Sequence, residues 1–169
     1  SDKASELITI AHNNSERLIR LINDLLDVEK IEAGKIDLKK KELNLVSLVE
    51  AAVESNKPYA DKFNVTFQIT DNTQNIKINA DADRITQVLD NFLSNAAKFS
   101  HDNGKVSVSC QQKSNKVRLK VIDSGRGISE EFKERVFGRF AQADSSDRRA
   151  KGGTGLGLSI CKAIMEAHQ

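Results

Sequence analysis

The chain has 169 residues, 38% of them hydrophobic, with 26 basic and 24 acidic side chains and a net charge of +2. That length holds one full domain with a real core plus an appendage, and the balanced charge, with no basic stripe interleaved with aromatics, carries no nucleic-acid signature. No apolar run is long enough to span a bilayer, no signal-peptide pattern is visible, and Cys110 and Cys161 lack CxxC spacing, so both read as small buried hydrophobes in a reducing compartment.

Residues from about Ser5 to Glu32 read as one long helix. Leu7, Ala11, Asn14, Leu18, Leu21, Leu25 and Val28 alternate spacings of four and three, a heptad seam that Ile10, Ile22 and Leu26 widen. Asn14 is the kind of seam residue that sets register, and Gly34 is a helix C-cap. Two coverings are open for this face: partner helices, or the chain's own globular part.

Lys35–Ala80 reads as strand, helix, strand, strand. Ile36 and Leu38 alternate with polar residues; Asn44 caps a helix carrying Leu48, Val49, Ala52 and Val53; Val65, Phe67 and Ile69 alternate before a DNTQN turn; and Ile76 and Ile78 form a short strand. None of this carries chemistry. A hairpin, Lys105–Gln111 and Lys116–Ile122 around a Ser-Asn turn, completes a sheet. The expected architecture is α+β, a two-layer sandwich with helices on one face of a mostly antiparallel sheet, preceded by the long helix.

Between these lies Asp81–Ser100, DADRITQVLDNFLSNAAKFS, capped by Asp81. Ile85, Val88, Leu89, Phe92, Leu93, Ala96 and Ala97 sweep one apolar half-turn, while Arg84, Gln87, Asn91, Asn95 and Lys98 stack in a narrow stripe. A merely solvated stripe, the competing reading, would favour Glu and Lys over two mediocre helix formers. Asn91 and Asn95 suit a hard cation and Lys98 a phosphate, with Asn95 the best candidate magnesium ligand.

Glycine turns follow. The run KVRLKVI delivers Asp123 into Ser124-Gly125-Arg126-Gly127-Ile128, so its carboxylate should be partly buried and in need of a donor. Gly153-Thr154-Gly155-Leu156-Gly157-Leu158 opens the helix SICKAIMEA, whose N-terminus offers N–H groups to an anion. Residues 138–153 are long, polar and without periodicity, as expected of a lid.

In order, Asn-x-x-x-Asn-x-x-Lys (91–98), Asp-x-Gly-x-Gly-Ile (123–128), Val136-Phe137-Gly138-Arg139-Phe140 and the run 153–158 resemble the asparagine, first glycine, phenylalanine and second glycine boxes of sensor histidine kinases, in the GHKL superfamily. The likeness runs from the helix before Gly34 to the chain's end. It implies a Bergerat-type ATP-binding fold over 35–169 and, over 1–34, the second helix of a dimerisation and phosphotransfer hairpin. It implies ATP and magnesium as cofactors, Asp123 reading the adenine amino group, Gly125 and Gly127 approaching the base, Ile128 walling the pocket, Phe137 and Phe140 anchoring the lid, and Gly153 through Leu158 clamping phosphates. Asn91 and Lys98 are the catalytic candidates. Asn91 stands where the related gyrase-type and chaperone-type ATPases carry a water-activating glutamate, and an amide cannot act as a general base.

Departures from the pattern are informative. Gln142 stands where many such kinases carry a basic residue after the phenylalanine box, leaving Arg148, Arg149 or Lys151 to reach the γ-phosphate. No His-Glu-x-x-Thr/Asn-Pro motif occurs, and His12, His101 and His168 read as surface residues. The chain also stops before the Gly-Gly and final strand usual in the family, which reads as a fragment of a larger sensor kinase. Expected partners are ATP, a response regulator receiver domain and a second copy joined through the N-terminal helix, in the cytoplasm; a membrane anchor is left to the parent protein. A freestanding ATPase of the same superfamily and a non-catalytic nucleotide-sensing module are the alternatives.

Overall fold

The computed structural model describes residues 2–34, 37–70, 75–142 and 153–168. Helix α1 (Asp2–Glu32) ends where Gly34 takes φ +62° and donates its N–H to the Ile31 carbonyl at 3.0 Å. The expected strand at Ile36–Leu38 does not form at Leu38, and Ile36 lies outside the described residues. Strand β1 (Lys41–Asn44) comes later because its pairing with β3 (Lys77–Ala80), Leu43 opposite Ile78, sets the register rather than local alternation.

Helix α2 (Leu45–Asp61) begins at Asn44, whose side chain accepts the N–H groups of Val46 and Ser47. The Leu45 N–H donates to the Ile76 carbonyl at 2.9 Å, joining the helix start to the approach of β3. Strand β2 (Thr66–Ile69) pairs in parallel with β4 (Lys105–Lys113), which pairs antiparallel with β5 (Lys116–Ile122) around Ser114 at φ +52°. The strands therefore form two sheets, β1–β3 and β2–β4–β5, and β2 does not pair with β3 despite the expected turn, of which 71–74 lie outside the described residues.

Helix α3 (Ala82–Phe99) is buried from two sides. Ile85, Leu89 and Leu93 pack with Leu45, Val49 and Val53 of α2 and with Val108 and Cys110 of β4, and Ala96 and Ala97 join Ala60, Val65 and Val106. Leu89 and Leu93 have no exposed surface, a burial that contributes roughly 1.5–3 kcal/mol each. On another flank Val88 meets a smaller core of Val28 from α1 with Leu156, Ile160, Cys161 and Ile164. The last three belong to α5 (Gly157–Ala167). A one-turn helix, α4 (Glu130–Lys133), is capped by Ser129 and was not expected.

Only the C-terminal end of α1 docks on this body. Val28 is buried, whereas Leu7, Ile8, Ile10, Leu18, Ile19, Ile22, Leu25 and Leu26 remain 49–70% exposed. Of the two expected coverings, the chain's own globular part thus serves the last turns of α1, and the seam before them is largely exposed. No helix among the described residues is long and apolar enough to cross a membrane.

Candidate functional site

The site is built on α3, beginning at its cap. Asp81 Oδ1 accepts the Arg84 N–H at 3.1 Å and Oδ2 accepts the Lys39 N–H at 2.8 Å. Burial pushes this carboxyl up, but the N–H groups of Lys39, Arg84 and Asp83 and the Arg84 guanidinium outweigh it, holding Asp81 below its ordinary value of 3.8. The Asp81 N–H donates to His168 Nε2 at 3.0 Å, so Nδ1 carries the proton it shares with the Ile164 carbonyl at 2.8 Å. His168 is therefore a half-buried brace between α5 and α3, not the surface residue expected. His12 and His101 are exposed, as expected.

The polar stripe divides by partner. Its first two residues turn to α1: Arg84 Nη1 lies 2.9 Å from Asp27 Oδ1, and Gln87 Nε2 donates to Asp27 Oδ2 at 2.8 Å. Arg84 also donates to Gln87 Oε1 at 2.8 Å. Two of the remaining three, Asn91 and Lys98, meet the second glycine turn. Asn91 donates to the Gln87 carbonyl at 3.1 Å, and its Oδ1 lies 2.5 Å from where a Cβ on Gly157 would stand. Lys98 Nζ lies 3.3 Å from the corresponding point on Gly153 and 4.8 Å from the Phe99 ring centre. Asn95 sits between them, half-buried, and its amide makes no hydrogen bond among the described residues.

The first glycine turn is pinned to the end of α3. Gly125 bridges Ser100, and a Cβ there would collide with the Phe99 carbonyl oxygen, so this position admits only glycine without backbone movement. Asp123 accepts the Gly125 N–H at 2.8 Å in an Asx turn, and it is exposed. The partial burial expected after a hydrophobic strand is thus wrong. Strand β5 ends at Ile122, itself 57% exposed, and the carboxylate emerges beyond the sheet's cover. Gly127 takes φ +73° in open surroundings, and Ile128 keeps half its surface exposed.

The second glycine turn is woven into the body. Thr154 donates to Asp24 Oδ2 on α1 at 3.2 Å and accepts the Leu156 N–H at 3.1 Å. Burial raises the Asp24 carboxyl above 3.8, with the Thr154 hydroxyl opposing and Asp27 reinforcing the rise. Gly155, at φ +72°, lies backbone to backbone against Phe140, itself at φ +56°. Leu156 is buried and Leu158 half-buried, and no side chain caps the N-terminus of α5. The Phe137 and Phe140 side chains stand 47% and 64% exposed, and Gln142 Nε2 donates to the Gly153 carbonyl at 3.0 Å. Arg148, Arg149 and Lys151 lie outside the described residues.

Asp24, Asp27 and His168 were not among the sequence candidates. The available signal was the i,i+3 spacing of two acids beside the α1 seam, which puts both on one face. A partly open cleft between Asp27, Arg84, Ile160 and Ile164 lies under α1, and another, between Val28, Phe137, Gly138 and Ser159, flanks α5.

The chain and its fold are similar to known proteins. The chain is 34% identical over 170 residues to the circadian input-output histidine kinase CikA of Synechococcus elongatus, covering 99% of this chain and 22% of that protein. It thus spans about a fifth of that relative's length. Its fold superposes on full-length ShkA in complex with AMPPNP with a TM-score of 0.78 and 27% identity, over 96% of this chain and 33% of that one. Histidine kinase ThkA, in complex with response regulator protein TrrA, gives a TM-score of 0.71 and 30% identity, over 94% and 43%. Residues 80–169, from the approach to α3 through both glycine turns, match the family described as histidine kinase-, DNA gyrase B- and HSP90-like ATPases, and the chain belongs to that family.

Proposed function

We propose that this chain is the ATP-binding catalytic part of a sensor histidine kinase, residues 35–169, joined to the second helix of a phosphotransfer hairpin, residues 1–34. The carrying observation is convergence: Asn91 touches the second glycine turn at Gly157, Lys98 touches it at Gly153, and Gly125 of the first turn is bridged to the end of the same helix. ATP lies with its base toward Asp123, Gly125, Gly127 and Ile128 and its phosphates toward the N-terminus of α5, where Gly153 to Leu158, the Leu156 N–H held by Thr154 aside, offer backbone N–H groups.

The Asn95 amide oxygen, unengaged among the described residues, fits a hard cation, and magnesium held there would neutralise phosphate charge. Lys98 supplies a compact positive charge beside the turn, and Asn91 orients the turn through Gly157. Neither amide can take a proton from water, which favours transfer to an outside nucleophile over hydrolysis. That nucleophile is a histidine on a hairpin, with a response regulator receiver domain as onward partner, a reading supported by the complex that histidine kinase ThkA forms with response regulator protein TrrA. The bare face of α1 supports pairing of two copies, and the catalytic part works in the cytoplasm.

Calorimetric titration of ATP with and without magnesium tests the site. Binding should weaken without the metal, and Asn95→Ala should lose that dependence; an unchanged metal response in the variant would sink the ligand assignment. The transfer step is tested with γ-labelled ATP and a separately supplied hairpin carrying the acceptor. Acid-labile label should appear on the hairpin and not on His12, which lacks a neighbouring acid to orient it.

A further inference from the structure

We propose that Asp24 is a positioning residue for the second glycine turn: it holds the Thr154 hydroxyl so that docking of α1 and binding of a nucleoside triphosphate reinforce each other. The inference rests on the nucleotide site described above and adds the helix to it. Thr154 has one proton, and donating it to Asp24 at 3.2 Å leaves a lone pair for the Leu156 N–H at 3.1 Å. The carboxylate therefore sets the hydroxyl's orientation, and the hydroxyl fixes the residue from which α5 starts. The carboxylate keeps this place although burial disfavours its charge.

A second link makes the coupling two-pointed. Asp27, three residues on and on the same face of α1, holds Arg84 and Gln87, and the Gln87 carbonyl holds the Asn91 amide that abuts Gly157. One helix face thus grips both the turn and the stripe beneath it. Val28, buried beside these two acids, stops the helix from shifting without breaking both grips. Because coupling of two binding events is reciprocal, a nucleotide that orders the turn must also tighten the helix end.

The test uses the 169-residue chain and Mg·ATP. Asp24→Ala should weaken ATP binding about tenfold, the scale of one hydrogen bond to a charged group, while Asp24→Asn, which keeps an acceptor oxygen, should stay near the parent. Thr154→Val should weaken it similarly and Thr154→Ser should not. The double variant Asp24→Ala/Thr154→Val should be no worse than either single one. Saturating Mg·ATP should slow amide exchange across Leu25–Ile31 in the parent and in Asp24→Asn, and markedly less in Asp24→Ala, where only the link through Asp27 remains. A purely structural contact would lower the melting temperature and leave affinity and that exchange response alone, which overturns the proposal, as would additive losses in the double variant. If Asp24→Ala does not fold, the Thr154→Val and Thr154→Ser pair decides by the same two readouts. A parent chain that binds no ATP overturns the nucleotide-site reading itself, and this inference with it.

Discussion

Helices α1 and α3 are both amphipathic, yet they end in opposite environments. In α3 the apolar face is buried from two sides, Leu89 and Leu93 completely, and its polar stripe is divided between a neighbouring helix and the glycine turns. In α1 the apolar face is exposed at Leu7, Ile10, Leu18, Ile22, Leu25 and Leu26, and its polar residues Asp24 and Asp27 make the specific contacts. Periodicity thus identifies a face and leaves open what covers it. For α3 the cover is the rest of the chain, so its hydrophobes hold the fold; for α1 most of the apolar face stays exposed, and its acids and Val28 attach the helix end.

The sharpest way to break this contrast is at the fully buried position. Leu93→Ala should destabilise the chain by about 2–5 kcal/mol in denaturant unfolding, through lost contacts and the cavity left behind. A loss under about 1 kcal/mol would mean that α3 is not the core helix described.

Asp81→Ala should cost about 0.5–2 kcal/mol, the range for an N-cap. The pH dependence has a definite sign. The folded carboxyl titrates below its ordinary value of 3.8, so its contribution is fully present above that value and is lost as pH falls through the lower, folded one. The stability gap between parent and variant should therefore be constant from neutral pH to about 4 and close below it. A gap that widens on acidification would contradict the hydrogen bonds assigned to Asp81.

On α1 the equivalent apolar change should barely register in the fold. Leu18→Glu should shift unfolding by less than about 0.5 kcal/mol, as surface substitutions do. It should nonetheless shift sedimentation toward monomer across a concentration series, since an exposed apolar stripe drives association. Equal sedimentation of parent and variant would remove that stripe from any pairing of copies.

The smallest effect compares the two cores. Burial pushes the Cys161 thiol up to about 12, against a hydrogen bond from Asn91, and burial also raises Cys110. Both should react with thiol reagents only through opening of the structure, and Cys161, in the smaller core shared with α1 and α5, should react faster. Faster labelling of Cys110 would place the weaker packing in the main core instead.

Local chemistry alone determined much of this protein. The caps at Asn44 and Asp81, the turn at Ser114, the left-handed Gly34 and the apolar arc of α3 were legible because each is set by residues within one or two turns of chain. The order of the boxes was legible for the same reason. Partners distant in sequence were decided by the tertiary structure: Asp27 with Arg84, Asp24 with Thr154 and Asp81 with His168 are 57, 130 and 87 residues apart. The exposure of Asp123 belongs here as well, since a hydrophobic strand predicts a buried neighbour only while the sheet's cover extends past it. Spacing along the chain specifies which side chains share a face, but burial and pairing depend on which other element the fold brings to that face, and that is a property of the whole packed body.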